Sequence, residues 1–215
     1  MNLVLLGPPG AGKGTQAARI ARADGLAHLS SGDILRAERK EKTDLGIRAQ
    51  VFMDRGALVP DDLILSMMAD HIGRETASRG FLLDGFPRTM AQAEGLDTRL
   101  VEMGLKIDAV ISIEVGDESV VRRLTGRKSC SKCGRIYHDT FSPPKESGLC
   151  DDCGEALMRR RDDEPDVVRQ RLTTYHEQTK PLVAYYRDQG VLRPISGEGT
   201  ADEVAELISK ACPGR

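Results

Sequence analysis

The segment Gly7-Pro8-Pro9-Gly10-Ala11-Gly12-Lys13-Gly14-Thr15 follows the apolar run Leu3-Val4-Leu5-Leu6 and precedes a helical pattern. That is the strand, glycine loop and helix context of a phosphate-binding loop. Glycines let the backbone wrap with its N–H groups pointing inward, the helix start adds positive potential, and Lys13 supplies a full charge. All three suit a polyphosphate. The common pattern puts Ser or Thr directly after the lysine, whereas here Gly14 intervenes before Thr15.

A second set of reactive residues is Cys130-Ser131-Lys132-Cys133 and Cys150-Asp151-Asp152-Cys153, two CxxC knuckles separated by residues 134–149. This spacing fits a four-cysteine zinc site. Four protein ligands leave no open coordination position, so the expected metal is structural; disulfides or iron are the rival uses. Arg36, Arg88, Arg123, Arg127, Arg160 and Arg171 each adjoin a motif or a segment boundary. Arg123 and Arg127 stand four apart at an expected helix end, so both can face one side. Asp84 closes the apolar run Phe81-Leu82-Leu83 and could orient Mg²⁺ through water. Asp33 is a second such candidate, or a helix cap.

Positioning these groups requires a scaffold. Short apolar runs alternate with helical patterns, predicting an α/β fold with a five-stranded parallel sheet flanked by helices. The expected strands are Leu3–Leu6, Ala27–Ser30, Phe81–Asp84, Ala109–Glu114 and Leu192–Ile195. Helices are expected at about Thr15–Ala23, Asp33–Glu41, after Pro60, from Thr89 with Gln92 at capping-box spacing, from Asp117, a long one from Asp166, and at Asp202–Ala211. Two stretches break the rhythm: a mostly helical excursion over residues 30–59, and residues 126–163, which hold both knuckles, the Ser142-Pro143-Pro144 turn and no helical period. The expected organisation is a core of residues 1–29, 60–125 and 164–215 with these two segments inserted.

With 33 acidic and 31 basic residues in 215, and 4% aromatics, the composition argues against nucleic acid or an anionic membrane as partner. The first residues lack a basic region, and their apolar run is too short for a signal peptide or a span. A cytoplasmic protein, monomeric by default, is expected, and that compartment favours thiolates over disulfides.

Gly14-Thr15 after the lysine, with Asp84-Gly85-Phe86-Pro87-Arg88, resembles the nucleoside monophosphate kinases. The ordered set Gly7–Thr15, Ser31–Arg36, Leu83–Arg88 with Gln92, Arg123–Arg127, Tyr137-His138 and Arg160–Asp163 is similar in order and spacing to the adenylate kinase family over essentially the whole chain. The resemblance implies a P-loop core with a small helical NMP-binding lobe (30–59) and a zinc-bearing lid (126–163). It implies reversible Mg²⁺-dependent transfer from ATP to AMP giving two ADP; the same fold with GTP as donor or another monophosphate as acceptor is the alternative. By this resemblance Gly10, Ala11, Gly12, Lys13, Gly14, Thr15, Arg123, Arg127, Ile136, Tyr137 and Gly199 face ATP. Ser31, Arg36, Ala57, Val59, Gly85, Arg88, Gln92, Arg160 and Arg171 face AMP, Arg160 lying near the transferred group. Lys13, Asp84, Arg88, Arg123, Arg160 and Arg171 are the catalytic set. Serine at position 31, where the family often has threonine, keeps the hydroxyl but loses a methyl.

A zinc-ribbon nucleic-acid module and an ATP-hydrolysing switch or motor are readings from other classes. The second arginine set argues against the hydrolase, which has no need of another anion pocket. His28, His71 and His176 are read as packing or surface residues, with His138 left open. Met67 and Met68 are read as core, and Cys212 as a free thiol. Core packing is the alternative reading of Tyr137.

Overall fold

The computed structural model describes residues 1–74 and 79–212. Five strands, β1 (Leu3–Leu6), β2 (Ala27–Ser30), β3 (Phe81–Asp84), β4 (Ala109–Glu114) and β8 (Leu192–Ser196), form one sheet in the order β2-β3-β1-β4-β8. Every pairing is parallel. Helices cover both faces, which explains why β1, β3 and β4 read as near-continuous apolar runs. Val4 and Leu6 point into one core with Leu83, Phe81 and Val110; Leu3 and Leu5 point into the other with Leu82, Ile111 and Ile113.

The chain steps from β1 outward to β2, returns to β3, and then crosses to β4 on the other side of β1. Reversal of strand order beside β1 opens a crevice at the carboxyl ends of the strands. There β1 delivers Gly7–Gly12 and helix α1 (Lys13–Asp24), β2 delivers helix α2 (Ser31–Glu41), and β3 ends on Asp84. Helix α3 (Asp44–Met53) packs on α2 to complete the excursion between β2 and α4 (Asp61–Arg74). The remaining core helices are α5 (Met90–Glu102), α6 (Asp117–Thr125), α7 (Pro165–Thr174), α8 (Leu182–Asp188) and α9 (Ala201–Ala211).

Several helix boundaries depart from the sequence reading for local reasons. Gly12, at φ 92°, is the N-cap of α1, so the helix begins at Lys13 and not at Thr15. Ser30 caps α2 by accepting from Asp33 N, which puts Asp33 inside the first turn. The long helix expected from Asp166 begins at Pro165, continues through a π-helical turn at Tyr175–Thr179, and breaks near Pro181 before α8. Thr89 caps α5 by accepting from Gln92 N, but the Gln92 side chain accepts from Arg88 N at 2.7 Å, so the reciprocal half of the expected box is absent. A complete box stands at α9, between Thr200 and Glu203.

The cysteine-bearing segment forms a separate antiparallel sheet, β6-β5-β7, from β5 (Arg127–Cys130), β6 (Ile136–His138) and β7 (Leu157–Met158). Its interior is small: Cys130, Tyr137 and Cys150, with Cys153 and Leu157 packed against them. Among the described residues no helix is long and apolar enough to cross a membrane.

Candidate nucleotide-binding site and cysteine cluster

A cavity of about 910 Å³ lies over the carboxyl ends of the strands. The loop residues Gly10 to Thr15 line it, together with Asp84, Gly85 and Arg88. Arg36, Arg160 and Arg171 line the same cavity, as do Arg123, Arg127, Ile136, Tyr137 and Gly199. A branch of about 80 Å³ is lined by Ser31, Ala57, Val59 and Gln92 and shares Arg36, Gly85, Arg88 and Arg171 with the main cavity. Segments far apart in sequence are thus gathered around one crevice.

The loop is shaped by backbone that other residues adopt poorly. Gly10 has φ 76°, and a Cβ there would stand 2.9 Å from Leu124 Cγ. Lys13 folds back so that Nζ donates to Gly7 O at 2.7 Å and Pro8 O at 2.8 Å. Burial lowers its pKa to about 7; Asp84 opposes the shift, and Arg88, Arg171 and Arg127 add to it. Asp84 Oδ2 lies 3.4 Å from where a Cβ on Gly14 would sit, so its carboxylate abuts the loop. An acidic oxygen at this edge suits a Mg²⁺ ion accompanying a polyphosphate. His28 Nε2, on β2, is 3.5 Å from the same oxygen, so this histidine is a site neighbour and not a bystander.

The arginines are fixed by neighbours and strained by one another's charge. Arg88 Nε donates to Gly85 O at 2.7 Å, and Thr179 Oγ1 donates to Arg88 O at 2.8 Å. Burial and then Arg171 bring the Arg88 pKa down to about 10. Arg160 is lowered to about 10 by burial, then by Arg36 and Arg127. Guanidinium groups depressed together in this way lack enough anionic partners, and a polyanion would relieve them.

Arg127 lies beyond α6 and opens β5, correcting the expectation that it shares a helix face with Arg123. It is held at Nε and Nη2 by both oxygens of Asp163, at 2.7 and 2.5 Å. Arg171 reaches Asp163 Oδ1 at 3.2 Å and Asp162 Oδ2 at 3.0 Å. Asp163, with 0% side-chain exposure, therefore ties the start of the small sheet to α7. Sequence reasoning placed Asp163 in a motif but gave it no task, because its partner Arg127 is 36 positions away.

Ser31 Oγ donates to Gly85 O at 2.6 Å. Gln92 Nε2 donates to Asp61 Oδ1 at 2.7 Å, leaving one amide N–H and one lone pair for a ligand. Asp33 pairs with Arg36 at 2.5 Å. Burial works against the charged form, but Arg36 holds the Asp33 carboxyl below its ordinary range. Arg123 Nη2 donates to Gly197 O at 2.7 Å, and Glu198, another residue the sequence did not single out, accepts from Gly116 N and Ser119 Oγ beside it.

All four paired cysteines come together, with their Sγ atoms within 4.8 Å of one another. The closest separations are 3.4 Å (Cys130–Cys153), 3.5 Å (Cys133–Cys150) and 3.8 Å (Cys133–Cys153). Zn–S bonds of about 2.3 Å in a tetrahedron put sulfurs about 3.75 Å apart, so the cluster fits zinc. None of the four is in a disulfide. Tyr137 borders the cavity, but its ring is 2% exposed in the interior of the small sheet. Its hydroxyl donates to Cys150 Sγ at 3.4 Å and draws that thiol down to about 6. The ring is thus packed in the sheet interior, the alternative reading of Tyr137, while the residue still lines the cavity. Phe141, an exposed aromatic, also lines the cavity, with its ring centroid 4.4 Å from that of His138.

A family model described as Adenylate kinase matches residues 5–191. The chain belongs to the adenylate kinase family. A relative from Carboxydothermus hydrogenoformans named Adenylate kinase is 48% identical over 211 residues, 98% of this chain and 99% of its own length. One of the same name from Geotalea daltonii is 47% identical over 214 residues, covering both chains completely. Another, from Clostridium acetobutylicum, is 49% identical over 208 residues, 97% of each chain.

Proposed function

We propose that this chain catalyses reversible Mg²⁺-dependent transfer of the terminal phosphoryl group of ATP to AMP, giving two ADP. The observation that carries the reading is one cavity lined both by a phosphate-binding loop and by a second arginine set, Arg36, Arg88 and Arg171. A hydrolase needs only the first. A transferase must hold two polyanions head to head, and its catalysis consists of positioning and charge neutralisation.

In this reading the N–H groups of residues 10–15 and Lys13 hold the donor's β- and γ-phosphates, with Arg123 and Arg127 on the opposite side. Arg36, Arg88 and Arg171 hold the acceptor's phosphate in planar forks, and Arg160 neutralises the group in transit. An acceptor phosphate oxygen bonds to the γ-phosphorus as the bond to the β,γ-bridging oxygen breaks. No general base is required, because the attacking oxygen is already an anion. Mg²⁺ would add charge neutralisation on the phosphates, with Asp84 orienting it through water. Ser31, Ala57, Val59, Gly85 and Gln92 form the acceptor's nucleoside pocket, while Ile136 and Gly199 border the donor's.

The chain then divides into a core (1–29, 60–125, 164–215), an NMP-binding lobe (30–59) and a lid (126–163) that closes to exclude water. Cys130, Cys133, Cys150 and Cys153 would hold zinc, which organises the lid and takes no part in the chemistry. We read the protein as a cytoplasmic monomer acting on free nucleotides, without nucleic acid or membrane as partner; its net charge of −2 supports this. The test is ADP formation from ATP plus AMP with an ATP-only control. AMP-dependent ADP is expected, and ADP formed equally without AMP would overturn the reading.

A further inference from the structure

Tyr137 sits at the centre of β6, opposite Lys128 of β5, with its ring in the interior of the small sheet beside Cys130 and Cys150. Both hydrogen-bonding capacities of its hydroxyl are used inside that sheet. It donates to Cys150 Sγ at 3.4 Å and accepts from Asp151 N at 2.7 Å. The ring itself is covered by the Arg135 guanidinium, 5.1 Å from its centroid. Arg135 is in turn anchored by Asp152 and by Asp151 Oδ2, the latter at 3.7 Å. Asp151 Oδ1 accepts from Lys145 N at 2.9 Å, which ties the second knuckle to the preceding turn.

This arrangement does something specific for a thiolate site. Four thiolates around a divalent ion leave a net charge of about −2 on the cluster. A hydroxyl donating to one sulfur withdraws part of that charge and fixes where the sulfur points. Partners of this kind, one bond removed from the metal, are commonly worth about 10- to 100-fold in metal affinity. The arginine over the ring and its two aspartates hold the tyrosine where the bond can form, and a cation above an aromatic face is itself attractive.

We infer that Tyr137 is a positioning residue of the cysteine cluster, held there by Arg135 and Asp151, and that its hydroxyl acts to retain the metal and not to contact the donor nucleotide. The inference rests on the reading of the cluster as a zinc site. Tyr137→Phe removes the hydroxyl and keeps the ring, so the sheet interior stays filled. Transfer of zinc from the whole protein to an excess of a chromogenic chelator is expected to be at least about 10-fold faster in Tyr137→Phe than in the wild type. Arg135→Gln should move the rate in the same direction by less. With Co²⁺ loaded instead, loss of the hydrogen bond raises the energy of the sulfur donor electrons, so the thiolate-to-cobalt charge-transfer band should shift to lower energy.

A wild-type protein that binds no zinc overturns both the zinc reading and this inference. Zinc retained equally by wild type and Tyr137→Phe, with an unshifted cobalt band, overturns the inference alone, even if Tyr137→Phe melts at a lower temperature. A several-fold rise in KM for ATP with unchanged zinc release returns Tyr137 to the donor site.

Discussion

Lys13 shows how a single side chain carries the electrostatics of the site. Its ammonium is buried against two loop carbonyls, and its pKa of about 7 contrasts with an ordinary value of 10.5. Between those values the unfolded chain binds more protons than the native one, so this group's contribution to stability rises with pH across the window and is least favourable below about pH 7. A triphosphate bound against Lys13, as proposed, would restore the charged form. Binding above pH 7 should therefore take up a proton at Lys13. At pH 8, calorimetric titration with ATP in buffers of different ionisation enthalpy is expected to show at least about half a proton more taken up by the wild type than by Lys13→Met. Equal uptake by the two proteins would refute this account. The lysine was legible from its loop, but its depressed pKa was not, because burial in the folded crevice causes most of the shift and Arg88, Arg171 and Arg127, which add to it, come from other parts of the chain.

Among elements, the small sheet is the one that its own packing supports least. Its interior holds Cys130, Tyr137 and Cys150, too little apolar surface for an independent core. In the zinc reading, coordination by four thiolates would replace that missing burial. Removing zinc with a chelator, or substituting Cys150→Ser, should lower the melting temperature more than it lowers turnover measured at low temperature. A melting curve unchanged after verified metal loss would show that the sheet stands without it. The knuckles announced the cluster in sequence because each pair is local. Tyr137 was harder to read: a period-2 strand places a ring on one face or the other, and only the position of Cys150, brought over from a second turn, decides which use the hydroxyl finds.

At the scale of the molecule, Asp163 joins parts that lie far apart in the chain. It receives Arg127 from the start of β5 and Arg171 from α7, and it is fully buried between them. Removing one member of a buried ionic set leaves the others uncompensated, at a cost of about 3–5 kcal/mol. Asp163→Ala should accordingly lose stability of that order in denaturant unfolding and should also lower turnover, since both arginines lose their orientation. Full stability with normal turnover would show that the carboxylate is dispensable. Glu198 accepts from Gly116 N at the start of α6 and stands 4.0 Å from Arg123, linking the segment after β8 to the helix that leads into the small sheet.

The sequence alone determined the strands, the phosphate-binding loop, the two CxxC knuckles and the alternation that makes a parallel sheet. Each of these is written in neighbouring residues, as period, glycine placement or short spacing. Tertiary structure decided what depends on distance through space: that Arg127 leaves the helix and binds Asp163, that Gln92 serves Arg88 and Asp61, that His28 stands beside Asp84, and that Tyr137 turns toward sulfur. Hydrogen bonds and charges act over a few ångströms, and the chain brings residues tens of positions apart to within that range only after the β1 crevice has formed. The loop from Gly7 to Thr15 was readable as a grip for phosphate; the arginines that make its cavity two-sided become a set only in the fold.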